Sequence, residues 1–170
     1  MSIKAVVITI SDRVFNDEYE DESGPLAAKR LQEGGYDVGE VMVVPDSIDM
    51  IRSMINEVVS DGARVIVTSG GTGVGPRDVT PEATLQKLKV QLPHIINAIV
   101  MKGLEKSPHA TVTRGLAGVT SQEPGGVLIV NAPGSPSGVA DAMDVVVPIA
   151  KHIVDQLDGK DHVRKGHEED

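Results

Sequence analysis

No cysteine occurs among the 170 residues, so disulfides and thiolate metal sites are excluded. Tryptophan is also absent, and there are only one Phe and two Tyr. Single-stranded nucleic acids are gripped by stacking bases on aromatic rings, and this chain has few rings to offer. Positive charge is scarce: 16 Lys and Arg stand against 25 Asp and Glu, for a net charge of −9. That balance disfavours a nucleic-acid surface, which needs clustered basic residues, but it leaves room for a local anion site. No apolar run approaches the roughly 18 residues that cross a bilayer, and the opening MSIKAVVITI turns polar too soon for a signal peptide. The expectation is a soluble cytoplasmic protein with no nucleic-acid and no membrane partner.

What is present is aliphatic. The hydrophobic fraction is 40%, nearly all of it Val, Ile, Leu, Ala and Met, which suits a parallel sheet covered by helices. KAVVITIS (Lys4–Ser11) reads as a buried first strand, DVGEVMVVP as a second, RVIVTS (Arg64–Ser69) as a third and Val127–Val130 as another. Between them lie helical patterns. One starts at Ser23 as N-cap and stops at Gly34-Gly35. Another carries Ile48, Ile51, Met54, Ile55, Val58 and Val59 on one face and stops at Gly62. Thr80 is read as the N-cap of a third, with Pro81 in its first turn, and residues 93–103 as a fourth ending at Gly103. Ser137 is read as the cap of a long last helix in which Pro148 marks a kink. Ser107–Gly118 fits a short strand or a loop. Strands alternating with helices give an α/β fold, with domain 1–158 followed by a charged tail over 159–170.

In such sheets ligands bind beyond the carboxyl ends of the strands. Here those ends are SDR, PDS, SGGTG and NAPGSP, so one rim collects most of the unusual chemistry. The stretch TSGGTGVGPRDVTPEAT (Thr68–Thr84) is neither a P-loop, since Pro76-Arg77 stand where Lys and Ser or Thr are required, nor a dinucleotide fingerprint, since Pro76 replaces the third glycine. Its glycines still allow backbone amides to form a nest for an anion, with Ser69 and Thr72 adding hydroxyls; the plainer alternative is a tight turn. Arg77 is a fork donor for phosphate or half of a surface ion pair. Asp78 and Asp46 are ligands for a divalent cation or, respectively, an ion-pair partner and an Asx-turn. Asp12 is a third carboxylate or a helix cap. Arg114 is an anion clamp or merely exposed. The five histidines show no metal-ligand spacing.

Taken together, SDR with YEDESGP, Pro45-Asp46, the Thr68–Thr84 block, Thr113-Arg114 and LIVNAPGSP resemble the molybdopterin-binding Mog/MoaB family, to which the N-terminal domain of gephyrin is similar. The resemblance runs from about Ile3 to Leu157 in the right order. It implies a three-layer α/β/α sandwich with a mostly parallel sheet, a homotrimer and a molybdate-inserting partner protein. It implies Mg²⁺-dependent adenylylation of molybdopterin by ATP, releasing pyrophosphate. Asp46 and Asp78 match the aspartates tied to catalysis and to the metal. Ser11, Asp12, Ser69, Gly70, Gly71, Thr72, Gly73, Arg77, Thr80, Thr113, Arg114, Pro133, Gly134, Ser135 and Pro136 match substrate-binding positions. Asn97 and Val100 stand where the family pattern carries Glu and Arg, which keeps a non-catalytic molybdopterin-binding relative as the alternative.

Overall fold

A computed structural model describes residues 2–160. In chain order the elements are β1 (Lys4–Ile10), α1 (Asp12–Phe15), α2 (Ser23–Glu33), β2 (Asp37–Val38), β3 (Met42–Val44), α3 (Ile48–Ser60), β4 (Val65–Ser69), α4 (Thr80–Leu85), β5 (Val90–Gln91), α5 (Pro93–Leu104), a 3₁₀ turn (Pro108–Thr111), β6 (Ala117–Val119), β7 (Leu128–Ala132) and α6 (Pro136–Leu157). The sheet has the order β2-β1-β4-β7-β6-β5, with β3 also paired to β1. Strands β1, β2, β3, β4 and β7 are parallel, while β6 and β5 run antiparallel at one edge. The expected tail lies outside the described residues from 161 onward.

The central strands are apolar on both faces because both are covered. Ala5 and Val7 of β1, with Val65, Val67, Leu128 and Val130, pack under α2, α5 and α6. Val6, Ile8, Ile10, Ile66 and Ile129 point the other way, toward Ile51, Ile55 and Val58 of α3 and Ala83 of α4. The result is the expected three-layer arrangement with two cores. Of the predicted α3 face, Ile51, Ile55 and Val58 are buried, whereas Val59 is 36% exposed. No helix among the described residues is long and apolar enough to cross a membrane.

Several local expectations are corrected. The second strand divides into β2 and β3, since Gly39-Glu40 interrupt it. Ser23 does not cap α2: its hydroxyl donates to the Gly134 carbonyl at 2.8 Å, and Asp21 Oδ1 accepts the Gly24 amide at 3.0 Å instead. Thr80 does not cap α4, because its hydroxyl donates to the Gly70 carbonyl at 2.9 Å. Ser135, not Ser137, caps α6 and accepts from the Gly138 amide. Helix α5 continues one residue past Gly103, and the ambiguous segment holds both the 3₁₀ turn and β6. Helix α6 runs for 22 residues with Pro148 inside it, and the ladder is perturbed at that point, the weak point the sequence leads one to expect. There Tyr36 splices the ladder: its hydroxyl donates to the Val147 carbonyl at 2.9 Å and accepts the Lys151 amide at 3.0 Å, joining two groups that an unperturbed helix bonds directly.

Candidate active site at the carboxyl rim of the sheet

Parallel pairing fixes the rim. Thr9 lies opposite Ser69, and Ser69 opposite Ala132. Ile10 lies opposite Val44, and the Ser11 amide donates to the Val44 carbonyl. The segments after β1, β3, β4 and β7 therefore leave the sheet side by side. The loop after β4 turns back at once. Gly70 and Gly71 have φ of 102° and 67°, in the left-handed region that glycine adopts without strain. Side chains are excluded there in any case: a Cβ on Gly70 would lie 2.3 Å from the Ile10 carbonyl oxygen, and one on Gly71 would lie 2.3 Å from Thr80 Oγ1.

The loop divides the rim into two clefts. The first, of about 580 Å³, is lined by Ser11, Asp12, Asp46, Ser69, Gly70, Gly71, Arg77, Asp78, Gly134 and Pro136. It also takes in Arg13, expected at the rim only as the end of SDR, and Tyr19, Asp21 and Ser23, none of which was expected as a substrate contact. Tyr19, Asp21 and Ser23 belong to the YEDESGP stretch, which carried the family resemblance without any of its residues being assigned to substrate. The second cleft, of about 330 Å³, is lined by Thr72, Gly73, Thr113, Pro133 and Ser135, with Val100, Lys106 and Asp141. Asp141 is 5% exposed and its Oδ1 accepts from Lys106 Nζ at 2.9 Å. A polar residue inside the apolar stripe of α6 was the available sign of it. A larger apolar groove of about 630 Å³, between β5 and α6, contains none of the rim residues.

The first cleft sorts its carboxylates. Asp12 and Asp46 are reciprocally bonded, each side chain accepting the other's backbone amide at 3.0 Å. Asp12 also receives Arg77 through Nε at 2.8 Å and Nη2 at 3.0 Å. Its carboxyl is held below the ordinary Asp range by Arg77 above all. Asp46 goes the other way. Burial raises it, and the charges of Asp12 and Asp78 add to that. Its Oδ1 accepts no hydrogen bond among the described residues, and neither does Oδ1 of Asp78, whose Oδ2 takes the Gly75 amide at 2.9 Å. Arg77 is thus committed to Asp12 and to the Asp46 carbonyl, the ion-pair alternative of the sequence reading.

The glycine loop carries donors with nowhere to go. Among the described residues, the amides of Gly71, Thr72, Gly73 and Val74 reach no acceptor. Successive unpartnered N–H groups are the raw material of an anion-binding nest; Gly71 lines the first cleft and Thr72 and Gly73 the second, while Val74 lines neither. Thr80 and Arg114 line neither cleft. Thr80 is fully buried and bonded to the loop. Arg114, expected as a substrate contact, is spent on loop carbonyls and Glu82. Beneath the loop, buried Asn131 donates to Thr68 Oγ1 at 2.9 Å and Thr84 Oγ1 at 3.0 Å and accepts the Leu116 amide. Asn97 lies on an exposed stretch of α5 beside His94 and lines neither cleft; Val100 lines the second.

Residues 6–152 match the family described as "Probable molybdopterin binding domain". The chain belongs to the Mog/MoaB molybdopterin-binding family. It is 33% identical over 156 residues to the molybdopterin adenylyltransferase of Pyrococcus furiosus, covering 90% of each chain. It is 34% identical over 171 residues to the Drosophila melanogaster molybdenum cofactor synthesis protein cinnamon. It spans only 28% of that protein and 50% of a bifunctional molybdenum cofactor biosynthesis protein from Chlorobaculum tepidum, so several relatives of this Mog/MoaB chain are much longer. Among solved structures, the molybdopterin biosynthesis Mog protein of Mycobacterium ulcerans superposes with a TM-score of 0.83 at 38% identity, covering 92% of this chain and 99% of that one. The tungsten cofactor synthesizing protein MoaB of Pyrococcus furiosus gives 0.86 at 28% identity, with coverages of 94% and 98%.

Proposed function

We propose that the chain acts in molybdenum cofactor biosynthesis as a molybdopterin adenylyltransferase, joining molybdopterin to the adenylyl group of ATP with release of pyrophosphate. The observation that carries this reading is the partition of the rim: two clefts meet at the glycine loop, which lends the unpartnered amide of Gly71 to the first and those of Thr72 and Gly73 to the second. A nucleotide in the carboxylate cleft and a pterin in the Thr72–Thr113–Ser135 cleft would meet at the glycine loop. The pterin phosphate seats on the amides of 71–74. One of its oxygens attacks the α-phosphorus of ATP, the α–β bridging P–O bond breaks, and pyrophosphate leaves. No side chain need act as nucleophile. The protein's task is to hold two polyanions in line and to offset their repulsion.

Mg²⁺ fits the residues present. Asp46 and Asp78 each keep a carboxylate oxygen without a partner, and the crowding of charge around Asp46 favours a neighbouring cation. No group of three His, Cys, Asp or Glu able to hold a metal exists among the described residues, so Asp46 and Asp78 would hold the ion together with phosphate oxygens and water. Bound there, Mg²⁺ supplies charge neutralisation at the phosphates. Homotrimer assembly, a cytoplasmic location and a molybdate-inserting partner belong to the same reading.

One observation favours a second reading. Val100 leaves the pterin cleft without the arginine of the family pattern, which suits a carrier that binds molybdopterin without modifying it. The two separate in one experiment: the protein with molybdopterin, Mg²⁺ and α-labelled ATP. Label in an adenylylated pterin, with stoichiometric pyrophosphate, is the expected outcome. Tight pterin retention with no labelled product supports the carrier instead.

A further inference from the structure

Arg114 sits 36 residues beyond Asp78 in the chain, yet it gathers both limbs of the glycine loop. Its backbone amide donates to the Thr72 carbonyl at 2.8 Å, Nε to the Gly73 carbonyl at 2.8 Å and Nη2 to the Asp78 carbonyl at 2.9 Å. Nη1 is held by Glu82 in the first turn of α4, and that carboxyl is lowered chiefly by the contact. No cis peptide is present among the described residues. A planar trans peptide unit points its N–H opposite its C=O. Drawing the carbonyls of Thr72, Gly73 and Asp78 toward Arg114 therefore turns the amides of Gly73, Val74 and Val79 away from it. Two of these amides belong to the unpartnered set, Gly73 in the lining of the second cleft and Val74 beside it, and the third adjoins Asp78.

We propose that Arg114 is a positioning residue for the adenylyl transfer: it fixes the direction of the loop amides and the place of Asp78 without touching substrate. The inference rests on the function proposed above for its kinetic part only. A guanidinium is required, because its planar fork reaches two carbonyls and a carboxylate at once, whereas a lysine ammonium on one flexible stem cannot span them. Glu82 holds the fork in that plane. The competing role is direct contact with a substrate phosphate, in which any cation at the position serves in part.

The test compares Arg114→Lys with wild type by amide exchange and kinetics. The amides of Gly75, Asp78 and Thr80 are protected by bonds inside the loop. In Arg114→Lys we expect them to exchange about tenfold or more faster, kcat to fall at least as much, and the KM for ATP to change little. Binding of inorganic pyrophosphate, which needs no turnover, weakens in parallel. Exchange unchanged while KM rises means that Arg114 meets substrate directly and overturns the proposal. Faster exchange with unchanged pyrophosphate binding overturns it too. If wild type makes no adenylylated pterin, the exchange and pyrophosphate measurements still decide the clasp, and only the function assigned to it falls. Should Arg114→Lys not fold, Glu82→Gln gives the same directions with smaller changes, and no change there counts against the clasp.

Discussion

The two ends of the sheet use similar residues to opposite effect. At the amino end Arg64 donates to both oxygens of Asp158, at 3.0 and 2.7 Å, and to the Gly126 carbonyl, while the Gly125 amide also reaches Asp158. Both oxygens of Asp158 and three nitrogens of Arg64 are partnered there, and the start of β4 is tied to the end of α6. At the carboxyl end the bonds of Arg77 and Arg114 shape the rim but leave four amides and two carboxylate oxygens open. The lower end is built to stay shut; the upper end is built to receive charge. An acid kept above its usual range by burial is costly in a fold, so finding one at the rim in Asp46, while Asp158 beside Arg64 is lowered, marks where the molecule gives stability up for function.

The largest effect should come from removing the rim's open acceptors. Asp46→Asn and Asp78→Ala should each reduce adenylylation by roughly a hundredfold or more, with the unfolding free energy of Asp46→Asn at or above wild type and that of Asp78→Ala lower by about 1 kcal/mol for the lost Gly75 bond. Burial and neighbouring charges raise Asp46, so its ionised form is held in the fold at a cost, and acidification through its folded pKa relieves that cost. Turnover should correspondingly fade on acidification at a higher pH than an ordinary Asp would set. Denaturant melts beside a pH–rate profile check both; a large loss of stability in Asp46→Asn would erase the contrast between the ends.

Next is the support under the loop. Asn131→Ala leaves Thr68, Thr84 and the Leu116 amide short of partners in the core, at a cost on the order of 3 kcal/mol, read by chemical denaturation. The smallest effect belongs to the closed end. Arg64 and the Gly125 amide lower Asp158 to about 2. That stabilisation is in force above the unfolded value near 4 and is lost as pH falls from about 4 toward 2. Asp158→Asn should cost roughly 1–2 kcal/mol at pH 7, flatten stability over that acid window and leave turnover unchanged. An activity loss matching that of Asp46→Asn would contradict the division of labour.

The same contrast explains what could be read from the sequence. Long apolar runs made β1, β4 and β7 legible, because two covered faces leave no alternation to misread, and parallel strands then bring their ends to one rim. The two- and three-residue strands β5 and β6 carry no periodicity: β5 went unread and β6 falls at the end of the segment that fitted a short strand or a loop, so the antiparallel edge was invisible. Helix caps slipped by one or two positions where hydroxyls cluster: Ser23 and Thr80 found tertiary acceptors in Gly134 and Gly70, which local pattern cannot foresee. The rim residues were named from motif and from their place after strands. Their division between two clefts was not, since it depends on Gly70 and Gly71 reversing the chain. Nor could sequence decide whether Arg77 and Arg114 face substrate or protein, because both guanidinium groups bond to partners 31 to 65 residues away.

The central claim is that the open valences of the rim carry adenylyl transfer. Pyrophosphate release from Mg²⁺-ATP, measured with and without molybdopterin in wild type and Asp46→Asn, tests it most directly. The account predicts release only in wild type and only with the pterin, matched by adenylylated product. Release that ignores the pterin, or that persists in Asp46→Asn, would contradict it.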